Sequence, residues 1–436
     1  MDLLGVGALG LVALEWLALG WLSGLVWPAQ QPTPASWALR LLVGAVLVGL
    51  AQLALALLGL SFANPIVVLA TAGVAAGVVR LFGAPRACAF SDKQVPFSGR
   101  ERVGWLVLGG VLAAATLRSL LVPEAGWDAY SHWGLRAQAY ALAGGVVDAH
   151  SEHEYYPPLV PLLEAWLYLH RGLVSIDLGK TVWALVGSAF GVSLAWHLRL
   201  SLRAAWLAPY LAAGIVLGTP ALLESFWTGQ ADLALAAWLC LAALAAYQWL
   251  RAPRRAWLVQ AALFGAAAAL SKFEGAPRIG IVAIALMLEA ALFGRRASLV
   301  PSLVLALAAA GGWLVWTLVE LRQGITPNAE HLGVLQPMAL GGVLLALVAV
   351  FGGLRAGSGL LVAVLAWALA GRTLLRGSLR PLMLAVVGQA AATLVAFLVS
   401  TTSPELEVRT AATRLFEQWL PLALFVGAVG LSKVHL

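Results

Sequence analysis

Charge is scarce in this sequence. Only 11% of its 436 residues are Asp, Glu, Lys or Arg, far below what the surface of a soluble domain of this length requires. Cysteine is almost absent too. Cys88 falls in a polar loop and Cys240 inside an apolar run, which excludes a disulfide framework and a Cys-based metal site. The sequence has no basic stripe: its net charge of +7 and pI near 9.8 come from Arg residues scattered in short loops, so nucleic acid is not an expected partner. It shows no internal repeat, low-complexity tract or domain linker.

What it has is hydrophobicity. Apolar residues make up 61% of the chain and the mean hydropathy is +0.90, so the bilayer must be its solvent. The first run, 3–26, is expected to be a retained helix and not a secretory signal, because it is long, lacks a basic flank and carries Glu15. Further apolar runs are predicted at 37–60, 64–81, 103–122, 158–170, 178–198, 204–222, 232–250, 256–270, 277–293, 301–321, 338–351, 357–370, 381–399 and 419–431. The expected fold is therefore an all-α polytopic membrane protein with about 12 to 15 hydrophobic helices. Residues 1–102 read as accessory helices and 103–436 as the functional module.

Loop charges set the expected orientation. Residues 83–102 hold Arg86, Lys93, Arg100 and Arg102 and should be cytoplasmic, whereas 123–157 holds Glu124, Asp128, Asp148, Glu152 and Glu154 against Arg136 and should lie outside. Carried forward, this puts Arg199, Arg251 and Arg295 inside and Asp232 and Lys272 outside. It requires 158–170, short for a span, to be a tilted or partial helix that returns to the outer face.

The chemistry concentrates in the outer segment. In WDAYSHWGLRAQAY, helical spacing predicts Asp128, His132 and Arg136 along one face and Trp127, Tyr130, Trp133, Ala137 and Tyr140 mostly on the other. That pattern fits a helix lying on the membrane with its aromatic side toward lipid. The alternative is an interfacial helix that Asp128 merely caps. His150, His153, Asp148, Glu152 and Glu154 superficially resemble a metal cluster, but their spacing fits no zinc pattern and a solvated loop explains them better. Tyr155 and Tyr156 precede Pro157 and Pro158 at a sharp turn into the membrane. Asp232, the pair Lys272 and Glu274, and Arg414 interrupt otherwise apolar runs. Snorkelling at helix ends would account equally well for Lys272 and Arg414 taken singly.

Trp127-Asp128, Tyr156 to Leu159, Ala231 to Leu233, Lys272 to Gly275 and the Arg414 region, in that order, resemble the GT-C superfamily of polytopic glycosyltransferases. The nearest branch would be the bacterial one similar to protein O-mannosyltransferases and the lipid A aminoarabinose transferase. The sequence departs from the frequent Asp-Glu pair in having Ala129 after Asp128, and it lacks a large soluble C-terminal domain. The resemblance implies a GT-C-like core and inverting transfer from a polyprenyl phosphate-sugar to a glycan, lipid or protein acceptor at the outer face of the plasma membrane. No cofactor is required, although a divalent metal is not excluded. Asp128 would be the general base. Arg136, Lys272, Arg414 and His132 would hold the donor phosphate. Asp232, Glu274, Glu154, Tyr155, Tyr156 and Trp127 would contact sugar or acceptor. A secondary transporter and a noncatalytic subunit of an envelope-glycan assembly complex are the competing readings.

Overall fold

The computed structural model describes residues 3–24, 34–83, 97–123, 126–149, 151, 154–325, 340–351, 354–375, 377–399 and 404–434. Among them every regular element is helical. In chain order these are α1 (Leu3–Leu22), α2 (Pro34–Leu58), α3 (Pro65–Gly83) and α4 (Gly99–Leu121), then a π-helical turn (Ala129–Gly134) running into α5 (Leu135–Ala143). Next come α6 (Leu159–Arg171), α7 (Ile176–Gly179), α8 (Thr181–Ser201), α9 (Ala208–Leu217), α10 (Pro220–Thr228), α11 (Ala231–Arg251), α12 (Arg255–Ala269), α13 (Gly275–Phe293) and α14 (Leu299–Gln323). The last are α15 (Leu340–Phe351), α16 (Leu354–Ala370), α17 (Arg380–Leu398), α18 (Pro404–Glu417) and α19 (Leu420–Leu431).

Nine helices among the described residues are long and apolar enough to cross a membrane, and eleven spans result if each of two bent pairs counts as one. The protein is thus a multi-pass helical membrane protein. Helices are the natural solution here, since each satisfies its own backbone where water cannot. The pairs bend where the sequence interrupts the hydrogen-bond ladder. The run predicted at 204–222 is broken between α9 and α10 by 75°, at Gly218-Thr219-Pro220. The second bend, 47°, separates α18 from α19.

α11 is the axis of the bundle, buried almost all round and packed by α8, α10, α12, α13 and α19. Its small and branched side chains let neighbours approach on every side. α1, α2 and α3 join the same hydrophobic core. A Cβ on Gly44 would lie 1.9 Å from the Trp16 carbonyl oxygen, so α1 and α2 pack backbone to backbone. Glu15 of α1 accepts hydrogen bonds from Trp166 Nε1 (3.2 Å) and contacts His170 Nε2 (2.8 Å) on α6. α1 and α2 thus pack against α6 and α8 from the later part of the chain.

Basic residues collect at one end of the bundle. Arg199 pairs with Glu101 at the start of α4 (2.6 Å), Arg251 donates to the Leu200 carbonyl (2.7 Å), and Arg295 donates to the Leu250 carbonyl (2.8 Å). At the other end, Lys180, the residue before α8, donates to the carbonyls of Val122 and Trp227, at the exits of α4 and α10. The 13-residue α6 is buried along nearly its whole length and ends at Gly172, where φ is +66°. The chain consequently begins α8 at the face where α4 ends, and α6 packs against α1, α2 and α5.

Candidate functional site

Five elements meet at the end of the bundle that Lys180 marks. The deepest is the first turn of α11, where Asp232 faces inward near the positive end of the helix dipole. The α12–α13 turn delivers its partners. Gly275 permits this turn because a Cβ there would lie 1.9 Å from the Ala268 carbonyl oxygen. Lys272 Nζ lies 3.0 Å from Asp232 Oδ1 and 3.6 Å from Glu274 Oε1. Gln418 Nε2, from the α18–α19 bend, donates to the same Asp232 Oδ1 at 2.6 Å. Burial, the strongest influence on Lys272, favours the neutral amine. Asp232 and Glu274 outweigh it, with Arg414 opposing them, and Lys272 is held above the ordinary lysine value.

A second pair stands at the mouth. Arg414, one helical turn before Gln418, forms a salt bridge to Asp128, and about a third of each side chain is exposed. The last turn of α18 is pinned on two further sides. Arg278 of α13 donates to the Leu415 carbonyl (3.2 Å) and to Gln389 Oε1 of α17 (3.1 Å), and Glu417 accepts from the Leu222 amide of α10 (2.7 Å). Asp128 makes no side-chain capping bond to the helix that follows, so capping does not explain it.

Aromatic rings line the remaining edge. Tyr156 stacks on Trp133 with centroids 5.4 Å apart, and Tyr155 meets Phe273 edge-on at 5.8 Å. Phe273 in turn meets Trp313 of α14 at 5.1 Å. The two tyrosines are fixed through their backbones, since Trp316 Nε1 donates to the Tyr155 carbonyl (3.0 Å) and Arg136 Nη2 to the Tyr156 carbonyl (2.7 Å). Burial raises both phenols above the usual tyrosine range, Tyr156 the more strongly.

The structure thus brings Asp128, Arg414, Asp232, Lys272, Glu274, Tyr155 and Tyr156 together, and leaves others out. Arg136 is fully buried, bonded to the Tyr140 hydroxyl (2.9 Å) and the Tyr156 carbonyl and 3.7 Å from Glu154. Glu154 also accepts from the amides of Ala149 (3.1 Å) and Ser151 (2.8 Å). These two residues clamp the loop and do not join the mouth. The expected membrane-surface helix is also corrected. His132, Trp133, Arg136, Ala137 and Tyr140 are buried together, while Trp127 and Tyr130 are exposed. Ala129, His132, Trp133, Arg136, Ala137 and Tyr140 recur at three- and four-residue spacing, so they form one helical face, and it is packed on protein, with α5 against α6, and not turned toward lipid.

Sequence reasoning missed Gln418, Arg278, Phe273 and the whole of α18. Arg278 carried a readable signal, an ionisable group inside an apolar run. So did α18, whose start at Pro404 with Glu405 in the first turn is a helix-start pattern. Gln418 carried little, since an uncharged amide does not interrupt hydropathy. Among the described residues no three His, Cys, Asp or Glu side chains gather as a metal site would require. His150, Glu152 and His153 lie outside the described residues, as do Glu124 and Cys88.

Geometrically the site offers a half-exposed acid–base pair above a buried one, with aromatic faces beside both. No protein-family model matches the chain, no curated protein is similar enough to count as a match, and no solved structure matches it.

Proposed function

We propose that the protein transfers a sugar from a polyprenyl phosphate-linked donor to a hydroxyl acceptor at the extracytoplasmic face of the plasma membrane. The observation that carries this reading is the union of Asp128–Arg414 and Asp232–Lys272 in one cluster at one end of the helix bundle. In such a transfer the acceptor oxygen bonds to the anomeric carbon as the bond to the phosphate oxygen breaks. The hydroxyl proton passes to Asp128, and the leaving phosphate keeps the electron pair and is held by cations.

Arg414 and Lys272 take the phosphate role in this reading, and Arg136 drops out of it. Glu274 Oε2 and Gln418 Oε1 are buried acceptor atoms without a protein hydrogen-bond partner among the described residues, a chemistry that sugar hydroxyls satisfy. Tyr155 and Tyr156 supply faces on which a sugar ring can stack. The test is to reconstitute the purified protein in liposomes with a panel of polyprenyl phosphate-sugars and follow release of free polyprenyl phosphate. Turnover of at least one donor is expected; a panel wholly unconsumed, with acceptors present, would sink the reading.

One observation favours a second reading, a secondary transporter. The two bent helix pairs meet at their breaks, where Glu417 accepts from the Leu222 amide, and interrupted helices commonly form transporter substrate sites. Ion-coupled uptake into sealed liposomes without donor consumption would favour it.

A further inference from the structure

The end of the bundle opposite the proposed site carries more positive charge than the protein neutralises. Two guanidiniums there each have a carboxylate: Arg199 pairs with Glu101 (2.6 Å) and Arg380 with Glu289 (2.7 Å). Arg203, Arg251, Arg295 and Lys433 meet no carboxylate among the described residues.

These four gather around the last turn of α11. Arg251 belongs to that turn and donates through Nη1 alone, to the Leu200 carbonyl (2.7 Å), Ser201 Oγ (3.3 Å) and Gln248 Oε1 (3.3 Å). The contact with Ser201 ties it to the end of α8, two residues before Arg203. Arg295, in the α13–α14 turn, reaches the same helix end through the Leu250 carbonyl (2.8 Å). Lys433 follows α19, whose Phe425 meets the Tyr247 ring of α11 edge-on at 6.0 Å; the Arg251 guanidinium stands 5.6 Å from the centre of that ring. Burial lowers the Lys433 amine below the usual lysine value, and the charges of Arg251 and Arg203 lower it further, as happens where cations crowd without an anion.

The last carbonyls of α11 offset part of this charge, since a helix C-terminus acts as roughly half a negative charge. Four cations exceed that several-fold. The surplus is accessible, with Arg203 and Arg251 exposed and Arg295 and Lys433 half-buried. Apolar side chains turned outward adjoin it: Leu431, two residues before Lys433, is 36% exposed, and Leu292 and Phe293, at the end of α13, are 68% and 49% exposed. Basic tips beside outward apolar side chains are what a bundle presents where hydrocarbon gives way to headgroups.

We infer that Arg203, Arg251, Arg295 and Lys433 form a binding site for the phosphate of an anionic phospholipid in the leaflet at this end of the bundle. The guanidiniums present planar pairs of N–H donors that match phosphate oxygens, and Lys433 adds a compact charge. Leu431, Leu292 and Phe293 give the acyl chains an apolar surface, which a free phosphate would leave unused. By the loop charges that leaflet is the cytoplasmic one. The site requires nothing of the sugar-transfer reading and would serve a transporter equally.

The full-length protein in a neutral detergent, titrated with dioleoyl phosphatidylglycerol, dioleoyl phosphatidylcholine or inorganic phosphate and with the bound fraction read by native mass spectrometry, tests it. Phosphatidylglycerol is expected to bind more tightly than either of the others. Arg203→Gln and Lys433→Gln, which remove no hydrogen bond within the described protein, should each weaken phosphatidylglycerol binding about fivefold and leave the lipid-free unfolding midpoint unchanged. The double variant should weaken it further. Arg80→Gln, in the last turn of α3 and outside the cluster, removes the same charge and should leave the affinity unchanged. Equal losses in Arg80→Gln and Arg203→Gln would overturn the site, because affinity would then follow total charge and not this cluster. Phosphatidylcholine bound as tightly as phosphatidylglycerol would overturn the requirement for an anion, and inorganic phosphate bound as tightly would overturn the lipid assignment.

Discussion

Asp128 and Arg414, 286 positions apart in the chain, form a salt bridge at the mouth of a buried charge cluster. The contact joins the loop after α4 to the last turn of α18. It ties the proposed proton acceptor to a proposed phosphate-binding cation, so the two roles are in contact and not merely on the same face of the membrane.

The buried pair beneath should dominate stability. Asp232 and Lys272 are each at least 90% buried, and removing one partner leaves an uncompensated charge at a cost of about 3–5 kcal/mol. Lys272→Met or Asp232→Asn is expected to lower the unfolding midpoint in detergent sharply. The double variant should recover part of the loss, which a double-mutant cycle measures; strictly additive losses would show that the pair is not coupled.

The same pair sets a pH dependence. Lys272 is held above its ordinary value, so the stability it contributes is fully present below the unfolded lysine pKa of about 10.4 and is lost only as pH rises through the higher folded value. The Lys272-dependent part of the unfolding midpoint, taken as the difference from Lys272→Met, should stay flat from neutral to mildly alkaline pH. A decline beginning near neutrality would contradict the assignment.

Arg136 separates folding from function. Its guanidinium anchors the Tyr156 carbonyl and faces Glu154, so Arg136→Met should destabilise the loop by about 3 kcal/mol or more. Polyprenyl phosphate affinity in the surviving folded fraction should be near that of wild type, whereas Arg414→Met should cost at least tenfold. Equal losses in both variants would return Arg136 to the phosphate site.

Asp232, Lys272, Glu274 and Arg414 were legible in the sequence because each is an ionisable group against an apolar background, where its cost demands a reason, whereas Asp128 was legible from its acidic outer segment. The multi-pass helical class was legible from hydropathy for the same reason. The facing of the 127–143 segment was not. Ala129, His132, Trp133, Arg136, Ala137 and Tyr140 do share a helical face, but periodicity does not say whether such a face meets lipid or protein, and here α5 packs on α6. The surroundings of Arg136 were not legible either, because its partners, Glu154 and the Tyr156 carbonyl, arrive from a loop whose path the sequence does not disclose. Gln418 is a further case: its role exists only because α18 ends against α11.

The most direct test of the central claim is the Asp128→Asn variant, reconstituted with the donor that the wild type consumes. The expected result is retained binding of polyprenyl phosphate and release of free polyprenyl phosphate reduced by at least a hundredfold, in line with the loss of a general base. Release at the wild-type rate would contradict the account.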